Sequence, residues 1–157
     1  VYPQWKYIIL MSSRLTKEKD IPFALKSMRK LCARYSDVGM VIVGSGPEEI
    51  HLKQLVRRYT LEKQVVFEDW QDDLSSYYKT ADIFLNTSRY EGYGMTLIEA
   101  GASGCPIVTT RVGVTYDLLD DGNNALICDV GDDSCIYNKL VSIKLVYFYI
   151  RRNITLF

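Results

Sequence analysis

Short, unbroken apolar runs alternate along the chain with longer stretches in which apolar residues recur every three or four positions. Lys6–Ser12 (KYIILMS), Gly39–Gly44 (GMVIVG), Gln64–Phe67, Ile83–Ser88 (IFLNTS), Pro106–Thr110 (PIVTT) and Ala125–Cys128 (ALIC) read as strands. Asp20–Arg34 sets Ile21, Ala24, Leu25, Met28, Leu31 and Cys32 at helical spacing, as in a helix lying against a core. Further helices are expected over Glu48–Tyr59 and Asp73–Ala81, and another opening near Gly94–Thr96. Strands without polar alternation, each followed by a helix, predict an α/β fold, a doubly wound Rossmann-like parallel sheet covered on both faces. Ligands in such a fold gather at the carboxyl ends of the strands. The loops of interest are therefore Ser12–Asp20, Gly44–Glu49, Asp69–Asp73 and Ser88–Gly94.

A chain of 157 residues fits a single domain, taken here as residues 1–157. Nineteen basic residues balance 19 acidic ones, so no overall basic field points to nucleic acid as a partner. Cys32, Cys105, Cys128 and Cys135 are 73, 23 and 7 positions apart, with no C-x-x-C pair. That usage predicts free, mostly buried thiols and a cytoplasmic location. His51 is the only histidine, which excludes a histidine-rich metal site and fits a surface position. No apolar run approaches the roughly 20 residues that a membrane-spanning helix needs. The tail KLVYFYIRR, Lys144–Arg152, mixes apolar and basic residues. The expectation is an element packed on the domain, with peripheral contact to an anionic membrane as the alternative.

The densest candidate chemistry lies in SRYEGYGMTLIEAGASGCP, residues 88–106. A helix starting at Gly94–Thr96, directly after a strand, points unpaired N–H groups and the positive end of its dipole at the ligand edge. Gly92 and Gly94 suit close backbone approach, or simply a tight turn. Glu99 interrupts an apolar run, where a carboxylate is expensive. It stands three residues beyond Thr96, about 4.5 Å of helical rise, and its Cα–Cβ bond tilts toward the helix start. Arg14 and Lys19 occupy the loop after the first strand. Two cations and a helix end suit a diphosphate, and a carboxylate at sugar distance suits hydroxyl groups.

These residues resemble a known family. SRYEGYGMTLIEAGASGCPIVTT is similar to the signature of retaining glycosyltransferase family 4, in the C-terminal, donor-binding half of the GT-B fold. The family's two motif glutamates fall on Glu91 and Glu99, and its R-x-x-x-x-K element on Arg14 and Lys19. VIVGSGPE, YYKTADIFLNTS and DLLDDGNNALICDVGD extend the resemblance from residue 5 to about 133. It implies a nucleotide-sugar donor such as a UDP- or GDP-hexose, and no divalent metal. Arg14 and Lys19 would bind the diphosphate and stabilise the leaving nucleotide. Glu99 would accept ribose hydroxyls, and Glu91 would contact the transferred sugar. Backbone amides across Gly92, Tyr93, Gly94, Met95 and Thr96 would meet the sugar and phosphate. Gly44 would form the second-strand turn, and Asp69, Trp70 and Gln71 would lie beside the nucleobase.

The chain departs from the family pattern at Val112–Gly113, Asp117 and Gly122–Ala125, and residues after about 136 do not resemble its helical end. A GT-B enzyme closes its cleft between two such halves, and Val1 opens this chain as an excised domain would. The expectation is weakened donor binding and no transfer without the N-terminal, acceptor-binding half. A nicotinamide-binding domain is the principal rival, from Gly44 and Gly46 after a strand and Glu68 about 20 residues on. Glu49 stands where that fingerprint has its third glycine. A phospho-receiver module would place an acidic pair after the first strand, where this chain has MSSRL.

Overall fold

The structure, a computed structural model, describes residues 2–154, with side-chain surroundings described for residues 2–145. Six parallel strands are described: β1 Tyr7–Ser12, β2 Val38–Val43, β3 Val65–Glu68, β4 Ile83–Asn86, β5 Ile107–Thr110 and β6 Leu126–Cys128. Their order in the sheet is β3-β2-β1-β4-β5-β6. This is the doubly wound arrangement expected from the strand patterns, with its switch point between β1 and β4. Every residue of β2, β4 and β5 is buried, which is why these runs carry no polar alternation.

Side chains alternate between two cores. Tyr7, Ile9 and Met11 of β1 face α1 (Ile21–Arg34), α2 (Glu49–Arg58) and α5 (Asp133–Ile154). Leu10, Val41 and Phe84 face α3 (Ser75–Thr80) and α4 (Met95–Ala102). The expected strand and helix limits hold to within about two residues. β4 stops at Asn86 because Thr87 and Ser88 turn their polar groups toward neighbouring loops.

Residues 2–5 form a strap that the hydrophobic pattern did not single out. Trp5 lies on the backbone at Gly39, where a Cβ would fall 1.8 Å from the indole. Its Nε1 donates to the Lys63 carbonyl at 3.1 Å, and Tyr2 stacks on it and donates to Glu68 at 2.8 Å. The tail lies within α5, whose earlier turns pack on the domain. Ile136 and Leu140 of α5 are fully buried. Lys144 pairs with Asp37 at 2.9 Å, its ammonium 5.1 Å from the centres of both the Tyr7 and Tyr35 rings. The side chains of Val146–Arg152, on which the membrane alternative depended, lie outside the described residues. No described helix is long and apolar enough to cross a membrane. His51 is exposed, as expected.

The expectation of four free thiols is wrong. Cys128, at the end of β6, and Cys135, in the first turn of α5, form a disulfide, with Cα atoms 5.8 Å apart. A spacing of seven gives no hint of this, because the two meet only when α5 folds back against the sheet. Cys32 and Cys105 are free, and burial pushes each thiol up to about 11. Alkylation under denaturing, non-reducing conditions should therefore label two cysteines, and four after reduction, counted by intact mass. Four labels before reduction would refute the bridge.

Asp133 ties α5 to α1. Its Oδ2 accepts from Lys30 at 2.7 Å and pairs with Lys26 at 3.0 Å. The Lys30 bond is the main cause that holds its carboxyl below the ordinary value of 3.8. A lowered carboxyl pKa stabilises the fold above the unfolded value, and that contribution is lost as pH falls through the folded value. Asp133→Asn should lower Tm at neutral pH by a few degrees, about 0.5–1 kcal/mol for a part-exposed pair. The gap to the unaltered protein should close as pH falls below 3.8. A gap that persisted in strong acid would contradict this.

Candidate nucleotide-sugar site

The loops after β1 and β4 meet at the switch point, and side chains join them. Lys19 Nζ lies 2.8 Å from both oxygens of Glu91, and the two side chains are only 17% and 12% exposed. Ser88 Oγ is 2.7 Å from Glu91 Oε1 and from Asn86 Oδ1, so its one proton serves either acceptor. Thr87 Oγ1 sits 3.1 Å from the carbonyls of Lys19 and Asp20. Arg89 donates from its backbone to the Glu18 carbonyl and from Nε to Asp20, at 2.8 and 2.7 Å. Lys19 and Glu91, 72 positions apart in sequence, are thus one built unit.

Gly94 caps α4 with φ 90°, a left-handed conformation that the turn from loop to helix requires. Leu97 N–H donates back to the Gly94 carbonyl at 3.0 Å. The N–H groups of Met95 and Thr96 have no partner among the described residues, and they stand at the positive end of the helix. At Gly92 a Cβ would meet nothing within 4 Å, so internal packing does not demand glycine there.

Glu99 is exposed on α4 rather than set into the core. The apolar run around it buries Leu97 and Ala100 on one face and presents Glu99 on the other, so the burial cost inferred from the run does not arise. Its Oε2 accepts a 2.9 Å hydrogen bond from Tyr78, a buried α3 residue with no sequence signal beyond packing. Burial first, and the bond to Glu99 second, push the Tyr78 phenol far above its usual value.

Arg14, Lys19, Trp70, Gln71, Glu91, Gly94, Met95, Thr96 and Glu99 line one cleft of about 450 Å³ at the carboxyl end of the sheet. Ser12, Ser13, Glu18 and Asp72, within the loops of interest but not singled out, line it too, as does Leu74 beyond them. Gly44, Asp69, Gly92 and Tyr93 do not line it. Gly44 has a packing role, since a Cβ there would lie 1.9 Å from the Ser13 carbonyl oxygen. Gly46 packs likewise against Leu15, so both glycines of the suspected nicotinamide fingerprint are accounted for without a ligand. Trp70 is 55% exposed, its Nε1 donating to Asp72 at 3.2 Å. A second concavity of about 380 Å³ lies between β1, the strap and α3, and its one charged group, Glu68, is already bonded to Tyr2. No group of three or more His, Cys, Asp or Glu residues is placed to hold a metal among the described residues.

A family model described as glycosyl transferases group 1 matches residues 3–144. The chain belongs to that family. The match runs past residue 136, where the resemblance was expected to end, and takes in the buried turns of α5. The chain is 29% identical over 136 residues to the N-acetyl-alpha-D-glucosaminyl L-malate synthase of Bacillus anthracis, covering 87% of this chain and 35% of that protein. It is 32% identical over 132 residues to the O-antigen biosynthesis glycosyltransferase WclY of Escherichia coli, covering 84% and 36%. The pneumococcal O-GlcNAc transferase GtfA, solved with UDP and GlcNAc, superposes with a TM-score of 0.79 at 25% identity over 94% of this chain and 30% of that one. Anabaena Alr3699/HepE, solved with UDP, gives 0.81 at 22% identity over 90% and 39% and shows the shared fold. The Rossmann-like α/β fold is thus one that these glycosyltransferase structures share. The chain spans about a third of the length of the first curated relatives it matches.

The αL cap at Gly94 can be tested directly. Gly94→Ala forces a Cβ into that conformation, 3.2 Å from Leu97 Cδ1, and should cost about 1–2 kcal/mol in urea unfolding. An unchanged midpoint would show that the turn does not need glycine.

Proposed function

We propose that the chain is the C-terminal, donor-binding half of a retaining glycosyltransferase that takes a hexose or N-acetylhexosamine from UDP. One observation carries this reading: Arg14, the Lys19–Glu91 pair, the free N–H groups of α4 and Glu99 converge on a single cleft at the switch point. Arg14 forms no salt bridge among the described residues, so its guanidinium can fork onto the diphosphate. Lys19 has three N–H donors; with two engaged by Glu91, the third remains for a phosphate oxygen. The α4 amides add the positive helix end. Together these groups stabilise charge as the nucleoside diphosphate departs, and the reading assigns no step to a divalent metal.

Glu91 then has a double role. It neutralises Lys19 in a shielded site and keeps lone pairs for hydroxyls of the sugar. Glu99 takes the ribose hydroxyls about one and a half turns along α4 from Gly94, and Trp70 and Gln71 border the base. The choice of UDP draws support from the solved structures with UDP bound, which share this fold. N-acetylglucosamine is the first sugar to test, because several relatives are named for its transfer. The acceptor would bind to the partner half, so this chain alone should bind donor without turnover.

Calorimetry with UDP, GDP and UDP-N-acetylglucosamine tests the proposal. UDP should bind, and Arg14→Ala and Glu99→Ala should each weaken it by about tenfold or more. Absence of UDP binding at millimolar concentration, or affinity indifferent to both substitutions, would sink the assignment.

A further inference from the structure

We infer that Tyr78 is a positioning residue for the ribose-binding carboxylate: it clamps Glu99 Oε2 from behind, so that Oε1 is presented to the nucleoside. This inference rests on the donor-site reading above. Glu99 is a solvent-exposed side chain with three rotatable bonds, and on its own it would sample several rotamers. Its one partner among the described residues is the Tyr78 hydroxyl, at 2.9 Å.

Tyr78 cannot follow a wandering carboxylate. It is 3% exposed, and its ring meets Phe84 of β4 edge-on, centroids 5.5 Å apart at 68°. The phenol is therefore a fixed donor mounted on the sheet, and it reaches the cleft wall through α4. A carboxylate offers about four lone-pair sites, and the phenol occupies one. The remaining sites accept the two adjacent ribose hydroxyls without a further loss of rotamer freedom, which is the benefit of preorganisation.

The rival view is that Glu99 merely satisfies a buried phenol, with no consequence for the ligand. The two views differ in what happens when the ribose hydroxyls are removed. Dissociation constants for UDP and for its dideoxyribose analogue, which lacks both hydroxyls, should be measured on the unaltered chain, Tyr78→Phe and Glu99→Ala. Tyr78→Phe keeps the ring and its contact with Phe84, and urea unfolding checks that the fold survives.

The unaltered chain should prefer UDP, and Glu99→Ala should abolish the preference. Tyr78→Phe should weaken UDP by about three- to tenfold and leave the analogue unchanged. If Tyr78→Phe weakens both ligands equally, or neither, while Glu99→Ala removes the preference, Tyr78 is a packing residue and the inference falls. If Glu99→Ala leaves the preference intact, the ribose assignment itself is wrong, and the failure lies with the donor-site reading.

Discussion

The site depends on the joining of two loops that the sheet brings together but does not by itself hold. β1 and β4 are neighbours at the switch point, and beyond their ends the chain leaves in opposite senses. Backbone hydrogen bonds of the sheet stop there. Beyond the sheet, one backbone bond from Arg89 to the Glu18 carbonyl is joined by side chains: Lys19 to Glu91, Arg89 to Asp20, and Thr87 to the carbonyls of Lys19 and Asp20. The Lys19–Glu91 pair is shielded from water, so its attraction is less screened than that of a surface pair. Its partners also hold the surrounding backbone. Placement of the cation thus follows from placement of the anion, and both follow from the parallel register of β1 and β4.

That dependence shapes the electrostatics of the cleft. Glu91 alone would repel a diphosphate, and Lys19 alone would attract any anion. Together they offset each other, while Arg14 and the start of α4 share the cleft wall with Glu18, Asp72 and Glu99.

Much of this was legible in the sequence, for identifiable reasons. Strands of a sheet covered on both faces reveal themselves as short runs without polar alternation, so all six strands and the sheet type could be read. Glu91, Glu99, Arg14 and Lys19 could be picked out because motif spacing and loop position point to one edge, and the cleft gathers all four. What failed was information carried by contacts distant in sequence. The Cys128–Cys135 bridge needs the return of α5, and the strap needs Trp5 to meet Gly39. The bond from Tyr78 to Glu99 joins two helices that no periodicity connects. The cost assigned to Glu99 from its apolar neighbours in sequence does not arise, because α4 keeps one face in solvent.

The strap has a bearing on how such a chain can drift. Trp5 lies in the space that any side chain at position 39 would fill, so the two positions are not independent. Replacement of Gly39 is open only to lineages that have first given up the indole, and a shrunken residue 5 uncovers a pit over β2 that a new side chain at 39 could then occupy. The two positions therefore constrain each other, and a side chain added at 39 while the indole remains would have to displace it.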